Sequence, residues 1–143
     1  MLSMMQLDDY RLLHLLIDAN ENYSSDVTRQ VKFETDFDFE VYKSTDGQTF
    51  KISLSIRIKP VRNRKHCSYK KIEIKLEGIF SFPPGTEDKI IEKLVPFNCL
   101  AILHGLARGI VSSVTGNTQG GKFLLPIMNF VEKINEKAKK QDD

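Results

Sequence analysis

The run VKFETDFDFEVYKSTDGQTFKISLSIRIK, residues 31–59, decides the fold. Val31, Phe33, Thr35, Phe37, Phe39 and Val41 fall at every second position, with Lys32, Glu34, Asp36, Asp38 and Glu40 between them. Strand side chains alternate between faces, so this pattern predicts a strand with one apolar and one wet face. Phe50, Ile52, Leu54, Ile56 and Ile58 repeat it against Lys51, Ser53, Ser55, Arg57 and Lys59. Ser44-Thr45-Asp46-Gly47 lies between the two runs, and Asp-Gly flanked by alternation is a strong hairpin signal.

Moving outward toward the C-terminus, Ile72, Ile74, Leu76, Phe80 and Phe82 oppose Lys71, Glu73, Lys75 and Glu77 in a third strand. Gly78 within it marks a bulge or a close approach. After Pro83-Pro84-Gly85, Thr86 is placed to cap a short helix with Glu87 and Asp88 in its first turn and Ile90, Ile91 and Leu94 as its stripe. A second helix is expected from Pro96 to Gly116, the latter suiting a left-handed cap. Leu100, Leu103, Ala107, Ile110 and Val114 give it a core face. Its other side carries the small residues Ala101, Gly105, Gly109, Ser112 and Ser113, which permit close approach by another copy or by the same chain; both readings stay open. Residues 115–123 read as a flexible loop, Pro126 opens a last helix with Ile127, Phe130, Val131 and Ile134 as its stripe, and residues 136–143 are expected to fray.

Toward the N-terminus the local signals conflict. Asp8 and Asp9 before Tyr10, Leu12, Leu13, Leu15, Leu16 and Ile17 look like a capped helix. As a strand, the same run lacks clean alternation and needs cover on both faces.

Composition bounds the function. At 143 residues the chain has the size of one domain. A formal charge of +2 gives no overall field for nucleic acid. Cys67 and Cys99 are too few for a disulfide framework, which favours a reducing compartment. The early apolar stretch, residues 12–17, is broken by His14 and preceded by two aspartates, so neither a signal peptide nor membrane insertion is expected and the cytoplasm is the default.

Chemistry-bearing groups are sparse. Cys99 and His104 are five apart on one helix and point away from each other, while His66 and Cys67 are adjacent and point to opposite sides. His14 completes the inventory, no third group orients either pair, and neither catalysis, a metal nor a cofactor is expected. Gly116, Gly120 and Gly121 follow a helix rather than opening one, so they lack a phosphate-binding context. Arg62, Asn63, Arg64, Lys65 and His66, then Tyr69, Lys70 and Lys71, are the one candidate for nucleic acid. The near-neutral charge of the whole chain favours a solvated loop there.

The order of three strands, short helix, long helix, Gly-rich loop and final helix is similar to that of the protein-export chaperone SecB. Residues 77–81, EGIFS, resemble the end of that family's last strand. Residues 96–130, PFNCLAILHGLARGIVSSVTGNTQGGKFLLPIMNF, resemble its long helix, loop and closing segment, with Arg108, Ile110, Leu125, Pro126, Asn129 and Phe130 on recurrent positions. The specific likeness covers residues 70–135, about half of the chain. It implies an α+β fold in which residues 10–23 form the first strand of a four-stranded antiparallel sheet, packed with a long helix and one or two shorter ones. It also implies a dimer of dimers, with Ala101, Gly105, Arg108, Gly109 and Ser112 at an interface, that holds unfolded polypeptide without ATP. The groove carried over is Phe80, Phe82, Phe97, Leu100, Leu124 and Met128. Glu73 matches an acidic position that docks the SecA motor, whereas Asn20 and Tyr23 or Ser24 depart from that pattern. The alternative is a dedicated binding module for one partner, such as an antitoxin, or for RNA through residues 62–71.

Overall fold

The computed structural model describes residues 5–22, 32–62 and 64–142. Four strands, β1 (Gln6–Ala19), β2 (Lys32–Lys43), β3 (Thr49–Arg62) and β4 (Tyr69–Ser81), form one antiparallel sheet in the order β1-β4-β3-β2. The β2–β3 hairpin turns where Asp-Gly predicts it. Gly47 takes φ 73°, a left-handed value that a side chain would strain. The Asp46 carboxylate accepts hydrogen bonds from the Ser44 hydroxyl and the Gln48 amide, which hold its pKa below the usual value.

Alternation holds through the two central strands. Ile52, Leu54, Ile56 and Ile58 of β3 and Ile72, Ile74, Leu76 and Phe80 of β4 are all buried, with Leu54 opposite Leu76 and Ile56 opposite Ile74. Val31 lies outside the described residues.

Residues 6–19 are a strand, so the local helix signal is overridden, and the strand begins and ends earlier than the expected 10–23. The missing alternation has a mechanical cause. Pairing with β4 skips Asp8 and Leu13, the marks of two β-bulges, and each extra residue reverses the inward-outward order beyond it. Strand geometry is imposed by the backbone of β4, which lies more than fifty residues away in sequence and offers β1 a full ladder of partners.

The helical half differs from expectation in several places. Helices α1 (Asp88–Leu94) and α2 (Leu100–Thr115) join through a π turn at Val95–Cys99 into one continuous helix, Asp88–Thr115. Pro96 does not end the helix: it has no N–H to give, and the wider π turn accommodates its ring. By length and composition this helix is apolar enough to cross a membrane, yet Leu100, Leu103, Ala107 and Val111 are buried on the sheet. Thr86 does not cap α1; Glu87 is the N-cap, and the Thr86 hydroxyl donates to Pro83 O at 2.6 Å. Gly116 is right-handed, at φ −61°, and the left-handed glycine is Gly121.

The buried stripe of α2 also includes His104 and Thr115, while Ile110 is half-buried and Val114 exposed. Polar residues enter a core when their hydrogen bonds are met. The Thr115 hydroxyl donates to Val111 O and accepts from the Phe123 amide, and His104 Nε2 lies 3.0 Å from Pro126 O. These bonds hold residues 122–129 in a non-helical course across α2, so α3 (Phe130–Asp142) starts four residues after Pro126. Asn129 Oδ1 accepts from the Glu132 amide at its start. Of the residues expected to fray, 136–142 belong to α3 and Asp143 lies outside the described residues.

Gly78 is a close approach. A Cβ there would lie 2.8 Å from Leu103 Cδ2 and 2.8 Å from Phe80 Cε2, so the glycine lets α2 settle onto β4.

Candidate polypeptide-binding surface

Among the described residues two strand edges are unpaired, one on β1 and one on β2. Along β2 the inner face is partly roofed by the C-terminal segment: Phe33 meets Phe123 edge-on at 5.2 Å and Phe37 meets Phe130 at 5.3 Å. Lys133 Nζ lies 5.9 Å from the Phe37 ring centroid. At the far end of β2 the roof gives way to a cleft of about 280 Å³ lined by Val41, Phe50, Ile91, Val95 and Pro96, with Lys43, Asp88 and Glu92 among its walls. Phe50 is backed by Phe82, edge-on at 5.8 Å. The cleft thus has an apolar floor, charged groups beside it and an open strand edge alongside.

The six groove candidates separate in the fold. Phe80, Phe82 and Leu100 are closed into the core, with Phe80 wholly buried. Phe97 projects from the π turn next to Pro96 and is exposed, Leu124 is 58% exposed, and Met128 is half-buried against the core. Apolar character alone cannot separate the two sets, because it marks buried and surface positions alike. Sequence reasoning missed Val41, Phe50, Ile91 and Val95 as cleft residues. It also missed Ile127, 87% exposed, which had been assigned to a buried helical stripe; the extended course of residues 122–129 turns it out.

A second apolar surface lies at β1. Tyr10 and Leu12 sit opposite Gly78 and Leu76, but both are exposed, as are Leu13 and Leu16. On α2, Ala101, Ile102, Gly105, Gly109 and Val114 are exposed, and a Cβ on either glycine would meet no atom within 4 Å. Arg108 and Ser112, half-buried, lie on the same helix, and the buried Arg108 Nε has no hydrogen-bond partner among the described residues.

On the outer face of the sheet Glu73 is held by Lys71 at 3.2 Å, Arg57 at 3.8 Å and His14 at 4.0 Å. Its charge is compensated rather than presented. Asn20 turns inward and donates to Cys67 O at 2.9 Å, and Tyr23 and Ser24 lie outside the described residues.

Cys99 and His104 have separate partners. Cys99 Sγ lies 3.2 Å from Met5 Sδ, and burial pushes its pKa up to about 12, leaving an inert neutral thiol. Burial lowers the pKa of His104 against the opposing pull of its bond to Pro126, and nearby Arg108 adds to the lowering. Burial also raises the Cys67 thiol. Among the described residues no three His, Cys, Asp or Glu side chains are grouped to hold a metal ion.

No protein-family profile and no curated protein matches the sequence. The fold does have a counterpart. A SecB-like chaperone from Mycobacterium tuberculosis, solved in complex with a ChAD peptide from the HigA1 antitoxin, superposes with a TM-score of 0.64 over 88% of this chain and 91% of that one, at 13% identity. The chain has the SecB-like fold. A Streptococcus agalactiae protein of unknown function overlaps with a TM-score of 0.44 over 86% of this chain and 97% of that one, at 12% identity. The four-stranded antiparallel sheet and the long helix agree with the SecB-like fold, while the expected break between the first two helices is a π turn.

Proposed function

We propose that this chain is an ATP-independent chaperone that holds extended, non-native polypeptide along the free edge of β2, with client side chains seated in the cleft beside Val41 and Pro96. The observation that carries the reading is the meeting of an unpaired strand edge with an apolar cleft, on a SecB-like fold. Edge hydrogen bonds use only the client backbone, and apolar contact is non-directional, so the pair accepts many sequences. Each client side chain buried contributes about 1.5–3 kcal/mol of transfer energy, much of it offset by ordering the client, which keeps the hold reversible. Phe97, Leu124 and Met128 extend the surface; Phe80, Phe82 and Leu100 act beneath it as support.

The β1 edge we assign to self-association, as a dimer or a dimer of dimers. Tyr10, Leu12, Leu13 and Leu16 expose apolar surface of the kind that copies cover. Ala101, Gly105, Gly109 and Ser112 allow a second helix to approach closely, bringing an acceptor to Arg108. Glu34, Asp36, Asp38 and Glu40 on β2 work in the opposite sense, since a charged edge resists pairing between copies.

A dedicated client, such as an antitoxin, fits better than general export. Glu73 is already ion-paired with Lys71 and Arg57 and is a poor dock for a SecA-like motor. The M. tuberculosis protein with the same fold binds an antitoxin peptide. A sequence with only two cysteines, together with such a client, suits the cytoplasm. The test combines solution mass with suppression of aggregation of a chemically unfolded client. A monomer that leaves aggregation unchanged would refute the proposal.

A further inference from the structure

The turn between β3 and β4 closes on a 3₁₀ segment, Arg64–His66, at one end of the sheet. Residues 59–72 contain six Lys and Arg and no Asp or Glu, and the fold divides these cations into two groups. Lys59 and Lys71 are compensated, by Glu34 at 3.8 Å and Glu73 at 3.2 Å. Arg62, Arg64, Lys65 and Lys70 are exposed and have no carboxylate within 4 Å among the described residues. Lys32 joins them: it stands directly across the β2–β3 ladder from Arg62, and among the described residues it too has no carboxylate within 4 Å. Like charges facing each other on paired strands repel, so an anion placed there relieves the sheet.

Pairing irregularities aim the group outward. Val61 has no counterpart between Phe33 and Lys32, and Lys70 has none between Asp18 and Ala19. The second irregularity turns both Lys70 and Lys71 to solvent.

We infer that Lys32, Arg62, Arg64, Lys65 and Lys70 form a second binding surface, separate from the client cleft, for the phosphate backbone of single-stranded nucleic acid. An acidic peptide fits less well. Val61 is the one exposed large apolar residue among the described residues of 59–72, so the side chains of a peptide find little apolar contact here. A phosphodiester chain needs neither an edge nor a pocket, and guanidinium groups match its oxygens. Tyr69, the aromatic in the basic run, is buried with its hydroxyl engaged by the Gly-rich loop, so bases find no stacking platform and binding is independent of sequence. The near-neutral total charge is therefore a poor guide, because the acids that balance it lie elsewhere.

The experiment is fluorescence anisotropy of the full chain with a labelled oligo(U) RNA, titrated over a salt series. If five cations each meet a phosphate, log K falls with log salt at a slope of about −3.5, roughly a hundredfold loss between about 50 and about 200 mM salt. The double variant Arg64→Ala/Lys65→Ala is expected to flatten the slope to about −2.1, roughly a twentyfold loss over the same range. Its far-ultraviolet circular dichroism and aggregation suppression should be unchanged, which separates this surface from the chaperone reading. Absence of RNA binding at low salt, an unaltered slope in the variant, or equal competition by poly-glutamate or by anionic phosphatidylglycerol vesicles would overturn the inference.

Discussion

Replacing glycine by alanine at three positions should give opposite results, and the tertiary contacts fix the signs. At Gly78 the added methyl would sit 2.8 Å from both Leu103 Cδ2 and Phe80 Cε2 and 3.3 Å from Phe80 Cζ. Carbon pairs prefer about 3.5–4.0 Å, so the first two neighbours must retreat by close to an ångström. Both neighbours are fully buried and have little room to move. Overpacking of this kind costs about 1–3 kcal/mol, offset by about 0.5–1 kcal/mol from removing glycine's chain entropy in a strand. The net loss is up to about 2.5 kcal/mol, or as much as roughly 10 °C in Tm for a domain of this size. At Gly105 and Gly109 the same methyl meets nothing within 4 Å. There alanine adds about 0.8–1 kcal/mol of helix propensity to the monomer, while obstructing any helix that packs closely on that face. The assay is urea unfolding across a dilution series, because association shifts apparent stability, together with solution mass at each concentration. A Gly78→Ala chain more stable than the parent would refute the close-approach argument. Unimpaired association of the Gly105→Ala/Gly109→Ala chain would refute α2 as an interface.

Other perturbations test the remaining parts. Leu124→Asp with Phe97→Ser should abolish aggregation suppression at a stability cost of about 1–2 kcal/mol from the buried part of the Phe97 ring, and a folded variant that still protects its client would remove this surface from the binding site. Tyr69→Phe removes the hydroxyl that serves the carbonyls of Thr115 and Gly121 and the hydroxyl of Thr118, so it should cost about 1–3 kcal/mol and speed proteolysis in residues 116–122; unchanged protection there would count against a closed loop. His104 has a folded pKa below its unfolded value, so the unfolded chain binds the extra proton first. Its contribution is complete above pH about 6.5 and is lost as pH falls through the lowered folded pKa, which His104→Gln should largely abolish in urea midpoints compared above and below that range.

Much of the sheet was legible because its signal is local. Residues 32–59 alternate, Asp46-Gly47 turns, and β4 repeats the pattern, so three strands follow from the pleat and from one glycine with positive φ. Burial among the groove candidates was not legible. Phe97, Leu124 and Met128 reach the surface, but Phe80, Phe82 and Leu100 have the same apolar character and lie beneath it. Hydrophobicity states that a residue prefers contact, not which contact it has.

What the sequence determined by itself was the period: period two for β2, β3 and β4, a helical period after Pro84, and a charge balance that cancels over the whole chain. The rest was decided in three dimensions. Residues 6–19 become a strand because β4 offers an empty ladder, and two bulges conceal the alternation. Pro96 stays within a helix because a π turn makes room for it. His104 and Thr115 enter the core because hydrogen bonds from distant residues satisfy them. The cations of the β3–β4 turn stand apart from the acids that balance them on paper. In each case the deciding partner is remote along the chain, and only folding sets the distance between them.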